Sequence, residues 1–176
     1  MSIKKLYYYL FYKIYKAIIY TSTPFGDFLS SFKAGLVLIV LQIWSFLSII
    51  NYYTVITGNK VELSISMPIM YIPLIIIIGF NYYTLDYLDI WKSYNQEFDQ
   101  LPKKKNTIGS WIVVLIVLII IVNFIFSFYC LDRKARKDQV GPYAPEIVAK
   151  ERMEDSLQKA QQIEKLKKIY GEDNRK

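Results

Sequence analysis

Few residues in this chain could do chemistry. Asp86 and Asp89 stand just beyond one apolar stretch, Cys130 lies near the end of another, and Gln42, Ser45 and Ser48 punctuate a third. Paired carboxylates can move protons, and a Ser or Cys can attack a substrate when a neighbouring base accepts its proton. The chain has no histidine, which removes the usual general base and the commonest metal ligand. It also has no glycine-rich phosphate loop, dinucleotide-binding glycine turn, CxxC pair or HExxH helix. Asp86 and Asp89 read as solvated charges opening a surface segment, and Cys130 as a small packed or lipid-facing side chain. No catalytic residue, metal ligand or cofactor is assigned, and an enzyme is not expected.

Hydrogen bonding is what remains for the polar groups. Gln42, Ser45, Ser48 and Tyr52 fall on one side of a helix, and Asn123 and Ser127 lie one turn apart on another. Two readings fit. The groups can join helices inside a membrane, or they can line a pore built from several copies. No Lys, Arg, Asp, Glu or His lies within the apolar stretches 34–50, 67–80 and 111–131, which argues against a proton-coupled carrier.

The elements that position these residues follow from where charge is missing. Residues 34–50, 67–80 and 111–131 contain no Lys, Arg, Asp or Glu. A small soluble domain breaks its core into amphipathic pieces, whereas uncharged stretches approaching about 20 residues suit membrane crossing. The expected fold is therefore an all-α integral membrane protein with spans at 33–54, 67–85 and 110–131. Pro68 suits a first turn, but Pro73 should loosen one backbone bond, so a re-entrant hairpin is an alternative to a full second crossing.

Flanking segments carry the charge. Residues 1–33 hold five Lys and one Asp. Stepping through them at 100° groups Lys5, Tyr9, Lys13, Lys16 and Tyr20 on one side, and Leu6, Leu10, Ile14, Ala17 and Ile18 on the other. That pattern predicts an interfacial amphipathic helix with its lysines among lipid phosphates. The alternative is a helix packed on a partner through the same apolar face. A break at Thr21–Gly26 and a short connection at Gly58–Ser66 complete this part.

After the second span, Tyr87, Trp91, Tyr94, Phe98 and Leu101 recur at helical spacing. They predict a surface helix over 86–101 that continues the second span, lies along the membrane surface or docks another helix, and offers a candidate partner surface. Residues 132–176 form a charged tail whose Pro145 can start a helix and whose Gly171 can stop it. Asp155–Lys159 and Glu164–Lys168 support that helix as i,i+4 pairs, and Met153 and Leu157 give it a narrow apolar stripe for a partner. The formal net charge of +7 is read as attraction to anionic lipid, with no nucleic-acid partner.

The tetrapeptide NYYT occurs at 51–54 and again at 81–84. Both copies end apolar spans that run in opposite directions, so Tyr52, Tyr53, Tyr82 and Tyr83 mark the two faces of the bilayer. With Trp111 they complete the aromatic membrane-interface anchors. Charge bias then conflicts with itself: the basic N-terminal segment and Lys103–Lys105 favour the cytoplasm, and so does Arg133–Lys137 beyond the third span. Counting nearby Lys and Arg gives nine inside against six outside for a cytoplasmic N-terminus and an external C-terminus, which is the orientation expected.

LFYKIYK, FKAGLVLIVLQIW, ISMPIMYIPLIIIIGFNYYTL, LPKKKNTIGS and FIFSFY together resemble a group of small, uncharacterised bacterial membrane proteins with three spans. The resemblance covers about residues 1–131 and implies a bacterial cytoplasmic membrane, but no activity. The expected function is a non-enzymatic accessory, anchor or assembly protein whose partners are the bilayer and another membrane protein or further copies of itself. A small oligomeric channel or permeabilising protein is the alternative.

Overall fold

The computed structural model describes residues 2–22, 29–59, 61 and 67–173. Most of the expected Thr21–Gly26 break, and Lys60 with Glu62–Ser66 of the first connection, lie outside them. The described residues form α1 (Ile3–Ser22), α2 (Ser30–Thr57), α3 (Pro68–Asn81), α4 (Trp91–Asp99), α5 (Lys103–Asp138) and α6 (Pro145–Asp173). A π-helical segment, Tyr82–Tyr87, prolongs α3, and a 3₁₀ turn, Gly141–Tyr143, precedes α6. No strand occurs among the described residues. The chain divides into two compact units, Met1–Tyr129 and Cys130–Lys176.

Among the described residues, three stretches are long and apolar enough to cross a membrane: Ser30–Thr57, Pro68–Tyr87 and Lys103–Tyr143. Local chemistry sets their ends. α2 stops at Gly58, whose φ of 74° is open to a residue without Cβ, and the Gly58 N–H donates to the Thr54 carbonyl at 2.9 Å. Pro68 opens α3, where its missing N–H costs nothing. The helix continues through Pro73 without reversing, so the hairpin alternative has no turn to rest on within Pro68–Tyr87.

In the first unit, α2 and α5 run in the same direction. Trp44 stacks on Phe124 with ring centres 5.0 Å apart, and further along both helices Asn51 meets Ser127. α3 runs the other way, bringing Asn81 to Gln42 and Leu85 against Gly35. Ala34, Leu38, Leu85 and Val113 are buried where these helices meet α1.

The expected 86–101 helix is corrected. It is not a continuation of the second span. In the π-helical segment the Leu88 N–H reaches back to the Tyr83 carbonyl at 3.1 Å, and Asp89 then takes a left-handed φ of 50°. Asp tolerates that region better than most residues, and the chain turns there before α4 begins. Tyr87 is thereby separated from the stripe of which it seemed part.

In the second unit, α5 ends in a two-bond C-terminal cap. Val140 N–H donates to the Ala135 carbonyl and Gln139 N–H to that of Arg136, with Gln139 at φ 51°. Tyr143 folds back to donate to Asp132 at 2.6 Å, and the Arg136 guanidinium lies over its ring. α6 then starts at Pro145. Every residue from Glu151 to Tyr170 is exposed, and the Asp155–Lys159 and Glu164–Lys168 pairs form at 2.7 and 2.9 Å. The helix does not stop at Gly171 but continues to Asp173.

Candidate functional site

A cluster of buried aromatic rings lies where α1 is covered by α4. Tyr8, Tyr9, Phe11 and Tyr12 of α1 are buried, as is Phe98 of α4. Tyr8 stacks on Tyr94 at 4.6 Å, Phe11 and Tyr15 meet the edge or face of Trp91 at 5.3 and 5.2 Å, and Tyr9 meets Phe98 at 4.9 Å. The α4 stripe of Trp91, Tyr94 and Phe98 therefore docks another helix, the chain's own α1, rather than lying open to a separate partner. Tyr87, beyond the break, is 70% exposed.

The N-terminal helix is corrected in the same way. Its buried band is Tyr8, Phe11 and Tyr12, while Leu6 and Ala17 of the expected lipid face are exposed and Leu10, Ile14 and Ile18 half-buried. Tyr9 is no interfacial anchor, because its ring is enclosed between Phe98 and α5. The physical reason is that a tyrosine ring is a large apolar body with one polar atom. Counting tyrosines as headgroup-seeking hid the core they form.

The lysines are held by protein groups. Lys5 pairs with Glu97, Lys16 pairs with Asp99 at 2.9 Å, and Lys13 donates to the Asn106 backbone carbonyl at 2.9 Å and to its side-chain oxygen. Tyr12 adds a 2.8 Å hydrogen bond to Asp99. Burial raises the Asp99 carboxyl, but hydrogen bonds from Lys16 and Tyr12 and the charges of Lys16 and Lys13 outweigh it and hold it below the ordinary carboxylate value. The Tyr12 hydroxyl is pushed up to about 12, first by burial and then by its bond to Asp99. Lys13 is lowered by burial, against the pull of Asp99.

α1 also crosses α5 closely. A Cβ placed on Gly109 would overlap the Tyr9 hydroxyl and come within 2.6 Å of the ring carbon Cζ. Only a residue without a side chain fits beneath that ring. On either side of this crossing runs a groove. The larger, about 640 Å³, is bounded by Lys13, Lys16 and Asp99 at one end and by Val113, Val114 and Leu118 along α5. The smaller lies between Lys5, Lys105 and Ile112.

Hydrogen bonds between the long helices use the two asparagines of NYYT. Asn51 Nδ2 donates to Ser127 Oγ at 3.0 Å, and Tyr52 donates to Asn123 Oδ1 at 2.9 Å. Asn81 Nδ2 donates to Gln42 Oε1 at 2.7 Å, while its Oδ1 accepts from Tyr7 at 2.9 Å. Gln42 lies nine residues before Asn51, about 13.5 Å along the helix, so the two copies sit at separate levels. Ser45 and Ser48 donate to their own helix, at the Leu41 and Trp44 carbonyls. The polar stripe is thus largely committed within one chain.

Tyr20, Tyr53, Tyr82, Tyr83 and Trp111 are exposed, as are Met153 and Leu157 of α6. Sequence reasoning missed Tyr7, Tyr12, Asn51, Asn81, Asp99 and Gly109. The asparagines did give a signal: an amide inside an apolar span seeks a neighbouring helix, and each copy of NYYT begins with one. The chain matches no protein-family model, and no curated protein and no solved structure shows significant similarity to it.

Proposed function

We propose that the chain is a multi-pass protein of a bacterial cytoplasmic membrane, working as a non-enzymatic accessory, anchor or assembly protein. Its helical bundle fixes it in the bilayer, and α6 meets a partner, either another membrane protein or a further copy. The observation that carries this reading is α6, where no residue from Glu151 to Tyr170 is covered by its own unit. A helix without tertiary support gains little from propensity alone, so a surface of this length has its use outside the chain. Membrane insertion is supported by apolar side chains that water would not tolerate in such number, including Ile75, Ile76, Leu115, Ile119, Val122 and Ile125, all more than half exposed. The bacterial context rests on the resemblance of the spans.

A cytoplasmic N-terminus and an external C-terminus are the orientation proposed. Pairing of Lys5 with Glu97 and of Lys13 with Asn106 supports a common side for the two basic clusters that favour the cytoplasm. Pore formation draws no such support, since Gln42 and Tyr52 are bonded to neighbouring helices. The test is affinity purification in mild detergent of the full chain and of a version lacking residues 139–176. A protein that accompanies only the full chain, with both versions in the membrane fraction, is the expected result. No companion to the full chain, or the same companion with both versions, would overturn the reading.

A further inference from the structure

The larger groove beside the α1–α5 crossing combines a cationic end with an apolar wall. Lys13 and Lys16 stand on its α1 side, and Asn106 and Ser110 face them from the first turns of α5. Asp99 pairs directly with Lys16, whereas Lys13 donates to the neutral oxygens of Asn106, lies over the Tyr9 and Tyr12 rings, and feels the Asp99 charge without an ion-pair contact. The surroundings add to this excess. α5 opens with Lys103, Lys104 and Lys105 and has no acid in its first turn, and the free N–H groups of a helix start carry positive partial charge.

From that end the groove continues along Val113, Val114, Val117 and Leu118. For a span entered at Lys103, this direction leads from the membrane surface into the hydrocarbon. Ile14 and Ala17 of α1 form the opposite wall. The volume of about 640 Å³ falls within the range of small-molecule sites.

We infer that this groove binds one anionic glycerophospholipid, with its phosphate at Lys13 and Lys16 and one acyl chain along Val114, Val117 and Leu118. The inference rests on the membrane reading above. A zwitterionic lipid would fill the wall but bring its own cation to Lys13. A soluble phosphate would satisfy the lysines and leave the wall wet. Only a net anionic lipid answers both ends. A phosphate oxygen also offsets what burial costs the Lys13 ammonium.

The experiment uses the full chain reconstituted into phosphatidylcholine vesicles containing a minority of phosphatidylglycerol. Vesicle flotation that resists carbonate comes first, and failure at that stage would overturn the membrane reading itself. The protein is then transferred to detergent, and its retained lipids are counted by native mass spectrometry. Phosphatidylglycerol should be enriched over its share of the vesicles. Lys13→Gln should lower the enrichment about fivefold, the effect of one lysine at a lipid surface. Val114→Trp, which fills the wall at an exposed position without touching charge, should lower it as well. Lys134→Gln, in the second unit, should change nothing, and excess glycerol phosphate should not displace the lipid. Retention mirroring the vesicle composition, enrichment surviving both groove substitutions, or displacement by glycerol phosphate would each overturn the inference.

Discussion

Gly109 shows how much a single hydrogen can decide. Replacing a helical glycine by alanine ordinarily stabilises by about 0.5–1 kcal/mol, yet here the added methyl would overlap the buried Tyr9 ring. The ring cannot swing aside easily, because Phe98 and Tyr12 pack on it. Gly109→Ala is therefore expected to destabilise the chain by about 1–3 kcal/mol, the usual cost of overpacking. Thermal unfolding in detergent measures this, and combining the substitution with Tyr9→Leu should recover part of the loss. Asp99 gives a second residue-scale prediction. Its folded carboxyl titrates below the ordinary value, so the stability it contributes is complete above about pH 4 and disappears as pH falls through the folded value. Tyr12 works in the opposite direction: raised to about 12 from an ordinary 10, its contribution is complete below pH 10 and disappears as pH rises toward 12. Asp99→Asn should remove the acid-side loss, which a denaturation series from pH 2 to pH 6 would register.

At the scale of elements, α1 and α4 pair aromatic faces that each looked like surfaces for something else. Phe98 is 1% exposed, so Phe98→Ala should cost about 3–5 kcal/mol. Tyr87→Ala, once assigned to the same stripe, should stay within about 0.5 kcal/mol. Equal effects in thermal unfolding would show that the stripe continues across Asp89 after all. The contrast also marks what could be read in advance. Three long apolar helices follow directly from blocks without charge, since little else in the chain competes for them. The pairing of α1 with α4 was not legible, because helical spacing specifies an apolar face without naming its partner. Tyrosine compounds this: the same ring serves at a membrane interface or in a core, and periodicity treats the two alike. The turn at Asp89 left no conventional mark, having neither Gly nor Pro. Of the site, the lysines were noticed but not their acceptors, and Gly109 has meaning only once Tyr9 is above it.

For the whole molecule, the features converge on one arrangement. Charge-free helices present apolar side chains outward, amides join them inside, and α1 with α4 brings the basic N-terminal segment to the Lys103 end of α5. With the three crossings proposed between α1 and α6, Arg133–Lys137 would lie on the side opposite Lys103–Lys105. Single cysteines in a Cys130→Ser background test it most directly, using Ser2→Cys, Asn59→Cys, Lys104→Cys and Ser156→Cys with a reagent that cannot cross the membrane. In intact cells, Asn59→Cys and Ser156→Cys should label, while Ser2→Cys and Lys104→Cys should label only after lysis. Labelling of Ser156→Cys only after lysis, or of Ser2→Cys and Lys104→Cys on different sides, would contradict the account.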